Sequence, residues 1–472
     1  MIVLSVLLFL GIISIHYYFN KNKILSKVYF LALIFKLFCG FLLYQLHLDF
    51  NILPDLIAYQ TDLTYLSDYF WNDTFNYFKF LLTGKLNPAW YYTFAIEGER
   101  AIFFVRYLSF MHFLAAKNMY LTSLYSSLMA FWGLWACATT LANWFINKND
   151  STIKINKVKL ALSIGFFFTP SVAFWASSMM KESFLWLIMG FLITFFLEII
   201  SFDYSNYKTN KFQFIGIIIK IFLLLILILC LFLLKYYYFA LLVPLLFAFG
   251  ISFLAKNYFH KSIRFQFFTF LISFSFVVGL ASNLHPNLWF SRLSEAIFIN
   301  QQNILADSDF DSQINFVYDY NFEPIYHNYK DGEYINFPTF FQLSEQSPKA
   351  LLAGLFFPLE IDFSTLGTSS FNFYRFVSVV ENWIILFFFI QTISLKKLFH
   401  TTRSLFLSTK YLEAQRHNCK TDSLAVLWLL GIIFCVGMAT LLALSAPNLG
   451  SLVRYKIGFL PFFIFGIIMR LD

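Results

Sequence analysis

Apolar stretches recur from end to end of this chain, and short polar stretches separate them. Eleven stand out, at 2–19, 28–47, 119–146, 161–178, 183–201, 213–234, 237–255, 265–283, 376–395, 424–444 and 456–469. Most reach the ~18–20 residues that a helix needs to cross the hydrocarbon core of a bilayer. The pattern predicts an all-α, polytopic membrane helix bundle of about eleven transmembrane helices, one transmembrane domain over 1–472. Two longer segments, 48–118 and 284–375, become its larger outer loops, and 396–423 a loop on the opposite side. The stretch 101–116, "AIFFVRYLSFMHFLAA", is too short and too charged to cross. It predicts a re-entrant or interfacial helix.

Composition excludes a water-soluble fold. Of 472 residues, 59% are hydrophobic, 22% aromatic and only 13% charged, and no soluble core absorbs that much apolar surface. The first run lacks a basic leading region and an A-x-A-like site, so it reads as an uncleaved span. Cys39, Cys137, Cys230, Cys419 and Cys435 are scattered, with neither metal spacing nor a disulfide framework. The net charge of +8 forms no single patch that would suit nucleic acid. It follows topology instead. Lys21, Lys23 and Lys27, then Lys148 to Lys159, Lys208 and Lys211, Lys256 to Arg264, and Lys396 to Lys420 all fall in connections on one side. Basic connections mark the cytoplasm, which places the N-terminus outside and the C-terminus inside. No P-loop, G-x-G-x-x-G, H-E-x-x-H or G-x-S-x-G motif suggests an ATP-driven pump or a serine hydrolase.

The unusual polar residues collect on the outer side. In "LPDLIAYQTDLTYLSDYFWND", helical spacing puts Asp55, Tyr59, Asp62, Tyr69 and Asp73 on one face. Carboxylates that accept hydroxyl protons, beside aromatic rings, suit a sugar. The blander reading is an interfacial helix with an aromatic belt. In "AIEGERAIFFVRYLSFMHFL", Arg106 lies within an apolar stretch. A cation at membrane depth costs about 2.5–3.5 kcal/mol on insertion scales, so it calls for a partner, and Glu97 and Glu99 are close in sequence. Arg100 adjoins them. An arginine snorkelling to headgroups is the alternative.

The stretch "TPSVAFWASSMMKES", 169–183, interrupts two apolar runs. Pro170 ends the first helix. Ser171, Ser177 and Ser178 can satisfy the freed backbone groups, and Ser177 or Ser178 can cap the next helix. Glu182 suits a helix N-terminus, whereas Lys181 opposes its dipole, as though an anion such as phosphate bound there. A plain turn with Lys181 exposed is the competing reading. In "APNLGSLVRYKIGFLP", Asn448 belongs to a turn signal, and Arg454 and Lys456 open the last span from its outer end. Two outer cations, Lys181 and Arg454, against the usual charge bias suggest one shared anionic ligand; a misassigned last span is the alternative. Arg375 and Glu381 read as a structural pair.

Taken in order, the acidic first loop, "ERAIFFVRYLS", "PSVAFWASSMMKES" and "PNLGSLVRYKIGFLP" resemble the polytopic envelope-polysaccharide proteins of Bacteroidetes-type genomes. In outline the chain is similar to Wzy-type O-antigen and exopolysaccharide polymerases and to the glycosyltransferase C superfamily. The resemblance implies a bacterial inner-membrane glycosyltransferase or polymerase that uses polyprenyl-diphosphate-linked sugars at the periplasmic face. Asp55 or Asp62 matches the acidic residue of the first outer loop, with Glu97 and Glu99 as alternative bases. Lys181, Arg106 and Arg454 would hold the diphosphate, with Tyr59, Arg100, Ser178, Glu182 and Asn448 around the substrate. Two features depart from the pattern: Asp55 and Asp62 are not adjacent, and the loop at 284–375 has few arginines. No organic cofactor is implied, although the acidic loop could recruit a divalent ion. The expected partners are the lipid-linked glycan and membrane lipid, and no nucleic acid. A transporter or flippase of a lipid-linked or anionic solute, and a non-enzymatic subunit of an envelope assembly machine, stand beside this reading.

Overall fold

The computed structural model describes residues 1–50, 54–90, 92–96, 98–147, 150–202, 211–259, 262–284, 297, 329–330, 333–334, 340–359, 370–392, 419–445 and 449–471. They are helical almost throughout. The helices are α1 (Ile2–Asn20), α2 (Tyr29–Phe50), α3 (Pro54–Asn72), α4 (Thr74–Thr83), α5 (Glu99–Leu114), α6 (Met119–Phe145), α7 (Thr152–Ser163), α8 (Pro170–Trp175), α9 (Lys181–Ile200), α10 (Lys211–Leu234), α11 (Tyr236–Phe259) and α12 (Ile263–Leu284), followed by α13 (Phe340–Phe356), α14 (Ser370–Thr392), α15 (Cys419–Ser445), α16 (Leu449–Tyr455) and α17 (Leu460–Arg470). The described strands are a two-residue antiparallel ladder, Tyr329–Lys330 with Glu333–Tyr334.

Among the described residues, seven helices are long and apolar enough to cross a membrane: α1, α2, α9, α10, α11, α12 and α15, or eight spans if the bent α16–α17 pair counts as one. The chain is a multi-pass membrane protein. Three expected spans fall short by that measure. Helix α6 carries buried hydroxyls at Thr122, Ser123, Ser126, Ser127, Thr139 and Thr140, which lower its hydropathy. The run at 161–178 is not one helix: α7 passes into a π-helical turn, Ile164–Phe168, and α8 restarts at Pro170. Of the expected span at 376–395, the described residues reach Thr392, and Phe376–Thr392 forms an apolar helix. The last expected span, 456–469, joins a bent pair, with 65° between α16 and α17. A 3-10 turn, Lys456–Gly458, fills the bend, and Pro461 sits in the first turn of α17. Part of the expected loop at 284–375 is also helical, since α13 packs on α15.

The chain divides into two compact units, 1–236 with 364–374, and 237–363 with 375–472. In the first unit, α6 and α9 meet backbone to backbone. A Cβ at Gly133 would stand 2.0 Å from the Trp186 carbonyl oxygen, and one at Gly190 would stand 2.1 Å from the Gly133 carbonyl oxygen. Lipid gives no hydrophobic drive between helices, so close van der Waals contact across small residues holds them together. Buried Trp135, Trp186, Phe131 and Phe166 pack around this contact. The second unit uses the same device, with Gly354 of α13 pressed to the Ala439 carbonyl of α15, where a Cβ would be 2.1 Å away.

Gly190→Ala is expected to cost about 1–3 kcal/mol of overpacking. It should lower the melting temperature of the detergent-solubilised protein. Gly216→Ala is the control, because nothing lies within 4 Å of that site. It should leave the melting temperature unchanged or raise it, since alanine favours helix. Equal shifts in the two variants would remove the close contact as the reason for the α6–α9 pairing.

Candidate functional site at the head of α9

The interruption before α9 is satisfied from inside the first unit. The Thr169 amide and hydroxyl both donate to the Ile164 carbonyl, at 2.9 and 2.8 Å. Buried Lys36 of α2 donates to the Val172 and Ala173 carbonyls at the end of α8, at 3.1 and 3.2 Å. Ser177 Oγ donates to the Ala173 carbonyl at 2.5 Å. Ser178 adopts a left-handed conformation, with φ of 59°. Its amide donates to Ser127 Oγ at 2.8 Å, and its hydroxyl accepts from Ser123 at 2.9 Å. Of the serines expected to satisfy freed backbone groups, Ser177 does so through the Ala173 carbonyl, whereas the Ser178 hydroxyl meets another serine. Neither caps α9, however: Met180 holds the cap position without a side-chain bond. The α6 hydroxyls bind Ser178 instead.

Lys181 opens α9 and is half-buried, its ammonium 5.9 Å from the centre of the Tyr59 ring. Glu182 is 1% exposed and pairs with Lys235 at 2.7 Å. Arg100, exposed in the first turn of α5, lies 4.2 Å over the ring of Tyr236. Aromatic contacts tie these elements together. Phe184 stacks on Tyr107 at 3.9 Å, and Tyr59 meets Phe104 edge-on at 5.2 Å. So α3, α5 and the head of α9 share one cluster. One turn along α3 from Tyr59, Asp62 is fully buried. Its Oδ1 accepts from the Tyr92 hydroxyl and, at 2.7 Å, from the Ala95 amide. Its Oδ2 has no hydrogen-bond partner among the described residues. Burial, and then the Asp62 carboxylate, push the Tyr92 phenol up. A buried carboxylate oxygen left unmatched is costly, and an incoming hydroxyl would satisfy it.

The acidic face expected in the first loop divides. Asp55 is exposed in the first turn of α3, whereas Tyr59 and Asp62 turn inward. Asp73 is not on α3, which ends at Asn72. It caps α4, accepting from the Asn76 amide at 3.4 Å, Asn76 Nδ2 at 2.9 Å, Trp90 Nε1 at 3.1 Å and Asn87 Nδ2 at 3.3 Å. These bonds, Asn76 first, hold its carboxyl below the usual range. Tyr69 donates to the Trp90 carbonyl and stacks on its ring at 4.3 Å.

Arg106 does not pair with Glu99. Its Nε and Nη2 donate to the Leu81 and Leu82 carbonyls, each at 2.6 Å, at the end of α4. A cation at the negative end of a helix dipole is well placed. Arg106 is thus a positioning residue. Glu99 is exposed at the start of α5, and Glu97 and Asn448 lie outside the described residues. In the second unit, Arg454 of α16 is half-buried, 5.2 Å from the centre of the Tyr455 ring. Lys181 and Arg454 belong to different units, and each is described within its own.

Sequence reasoning missed three buried lysines: Lys36, Lys235 and, as a site residue, Lys456. Lys456 sits in the bend and donates to Asn382 Oδ1. Asn382 Nδ2 in turn donates to the Pro358 carbonyl at 2.9 Å, and Tyr238 donates to the Tyr455 carbonyl at 2.5 Å. Glu381 is the acidic neighbour of Lys456, while the Arg375 side chain expected to pair with it lies outside the described residues. A lone lysine inside "LALIFKLFCG" or between two apolar runs in "LFLLKYYYFA" was the available signal, because such a charge demands a partner.

Among the described residues, no three His, Cys, Asp or Glu side chains group closely enough to hold a metal ion. Most of the acidic outer loop, where a divalent ion was expected, lies outside them. No protein-family model matches the chain, and neither a curated protein nor a solved structure matches it significantly.

Removing one partner of a buried ion pair leaves an uncompensated charge and costs about 3–5 kcal/mol. Lys235→Met should therefore lower the folded yield in membranes sharply, and Glu182→Gln/Lys235→Met should recover most of it. A single variant as stable as the wild type would show that the pair does not organise the head of α9.

The Asp73 cap gives a pH signature. Its folded pKa is depressed, so its contribution is full at neutral pH. That contribution is lost as pH falls through the folded value, below the unperturbed ~3.9. Trp90 emission should change over that acid range in the wild type and be flat in Asp73→Asn.

Proposed function

We propose that this chain is an inner-membrane glycosyltransferase or polysaccharide polymerase that acts on polyprenyl-diphosphate-linked sugars at the periplasmic face. One observation carries the reading: the Lys181 ammonium lies against Tyr59 at the N-terminal end of α9, and buried Asp62 follows Tyr59 by one turn of α3. Helix amides with a lysine suit a phosphate, and an aromatic ring beside a carboxylate suits a sugar. In this reading Lys181 and Arg100 hold the diphosphate. Asp62, or Asp55 or Glu99, takes the proton of the acceptor hydroxyl. The acceptor oxygen then bonds to the anomeric carbon. The bond from that carbon to the diphosphate breaks, and the diphosphate leaves with the electron pair, stabilised by the cations.

The matching topology has eleven crossings, with α6, the α7–α8 pair, α14 and the α16–α17 pair added to the seven long apolar helices. It puts the N-terminus in the periplasm and the head of α9 on the same side. Support comes from the basic connections, which then all face the cytoplasm.

Each unit also contains an interrupted helical run, at 164–180 in the first and at 456–458 in the second. Paired interruptions are a mark of transporters, so movement of a lipid-linked or anionic solute is the second reading.

Both readings are tested in a deletion strain complemented by variants. The enzyme reading expects loss of long-chain glycan with build-up of lipid-linked units on the periplasmic side. Lys181→Ala should reproduce the deletion at normal protein level, and Lys181→Arg should retain part of the activity. Build-up on the cytoplasmic side would favour transport. Full function of Lys181→Ala would remove the phosphate site.

A further inference from the structure

Helix α4 cannot cross a membrane. Its ten residues, Thr74–Thr83, span roughly 15 Å at 1.5 Å per residue, about half of a hydrocarbon core. It nonetheless has two apolar faces. The inner face buries Tyr77 and Phe80, and the Tyr77 hydroxyl lies 2.6 Å from Ser109 Oγ of α5. The outer face carries Phe75, Phe78 and Leu82, spaced i, i+3 and i+7. Phe75 is 79% exposed and Leu82 81% exposed. Trp71, at the end of α3, is exposed beside them. Large apolar side chains this bare need a cover.

Charge identifies the cover. Lys79 on the helix and Lys85 just beyond it are exposed, and no acidic residue occurs from Thr74 to Ile96. The nearest acids on the N-terminal side are already engaged. Asp73 is bound by Asn76, Asn87 and Trp90, and Asp68 pairs with Lys117 at 2.8 Å. The outer face is therefore apolar with a basic edge, the pattern of a helix lying in the plane of a membrane surface with acidic headgroups. The helix is also fixed at both ends, by the Asp73 cap at its start and by Gly84 (φ of 73°) and Arg106 at its end. It is a rigid element, not a fraying loop.

We infer that α4 is an in-plane anchor, with Phe75, Phe78 and Leu82 inserted among acyl chains and Lys79 and Lys85 on anionic phospholipid headgroups. Through Arg106, such an anchor fixes the depth of α5, and with it the depth of Arg100. The inference is independent of any glycan chemistry at the head of α9.

The test uses the full chain in nanodiscs of phosphatidylglycerol and phosphatidylethanolamine. Single cysteines at Phe75, Phe78, Leu82 and Lys85 carry a bimane label, with unsubstituted protein as background. Quenching by lipids with a nitroxide near the headgroup should be several-fold stronger at 75, 78 and 82 than quenching by aqueous iodide. The label at 85 should show the reverse. In Lys79→Glu/Lys85→Glu, lipid quenching at 75 and 82 should fall several-fold in phosphatidylglycerol discs and change little in phosphatidylcholine discs. Because all these positions are exposed, the melting temperature reports that the fold is intact. Strong iodide quenching at 75 and 82 overturns the inference. Protection from both quenchers also overturns it and points to a protein cover, such as a second copy. Quenching by the lipid probe with no dependence on headgroup charge overturns the role of the lysines.

Discussion

A backbone interrupted inside a bilayer has no water to fall back on, and the first unit is arranged around that constraint. Between Ile164 and Met180 the helical ladder fails three times: at the π turn, at Pro170 and at the end of α8. The π turn is closed locally by Thr169, and the end of α8 is met by groups from neighbouring helices. Lys36 comes from α2, and Ser123 and Ser127 come from α6. This accounts for two of the buried hydroxyls, Ser123 and Ser127, that make α6 read as less apolar than a membrane helix should. It also explains the close approach of α2 and α6 at Gly40, where a Cβ would stand 2.1 Å from Ser127 Oγ. Once the break is satisfied, α9 starts at a fixed point and presents Lys181 and Glu182 at its head.

The charges at that head are arranged unevenly. Glu182 is buried and neutralised by Lys235, favourably placed at the positive end of the helix. Lys181, one residue earlier, stays half-buried, its ammonium 5.9 Å from the centre of the Tyr59 ring. A cation–π contact of this kind is weak, on the order of 0.5–1 kcal/mol at partly exposed sites, and a multiply charged anion would compete with it readily. The buried pair ties the head of α9 to the end of α10.

What could be read in advance follows the range of the interaction. Apolar runs are local, so the membrane class and the positions of most helices were legible. So was the break at Pro170, because proline acts on its own backbone. The partners were not. Glu182 and Lys235 are 53 positions apart, and Arg106 reaches carbonyls about two dozen positions back. No spacing rule connects such pairs; only the packing of α3, α4, α5 and α9 does. Asp73 was misread for a related reason. Helical periodicity continued past Asn72 on paper, whereas its side chain bound the next helix's first turn. The bend at Lys456 was hidden because Gly458 and Pro461 sit in an otherwise continuous apolar run. A Cβ at Gly458 would stand 2.2 Å from the Tyr238 hydroxyl oxygen, a contact that only the folded second unit reveals.

Lys36 carries a consequence for synthesis. It lies in the second apolar run, and the carbonyls that hold it are 136 and 137 positions later. At about 5–20 residues per second, α8 emerges roughly 7–27 s after α2. During that interval the ammonium has no α8 to bind. Insertion of a central lysine costs about 2.5–3.5 kcal/mol, and each central leucine, isoleucine or phenylalanine returns about 0.3–0.6 kcal/mol. The dense Leu, Ile and Phe content of α2 is thus a provision for the nascent chain: it keeps the helix in the bilayer until the ribosome delivers the partner.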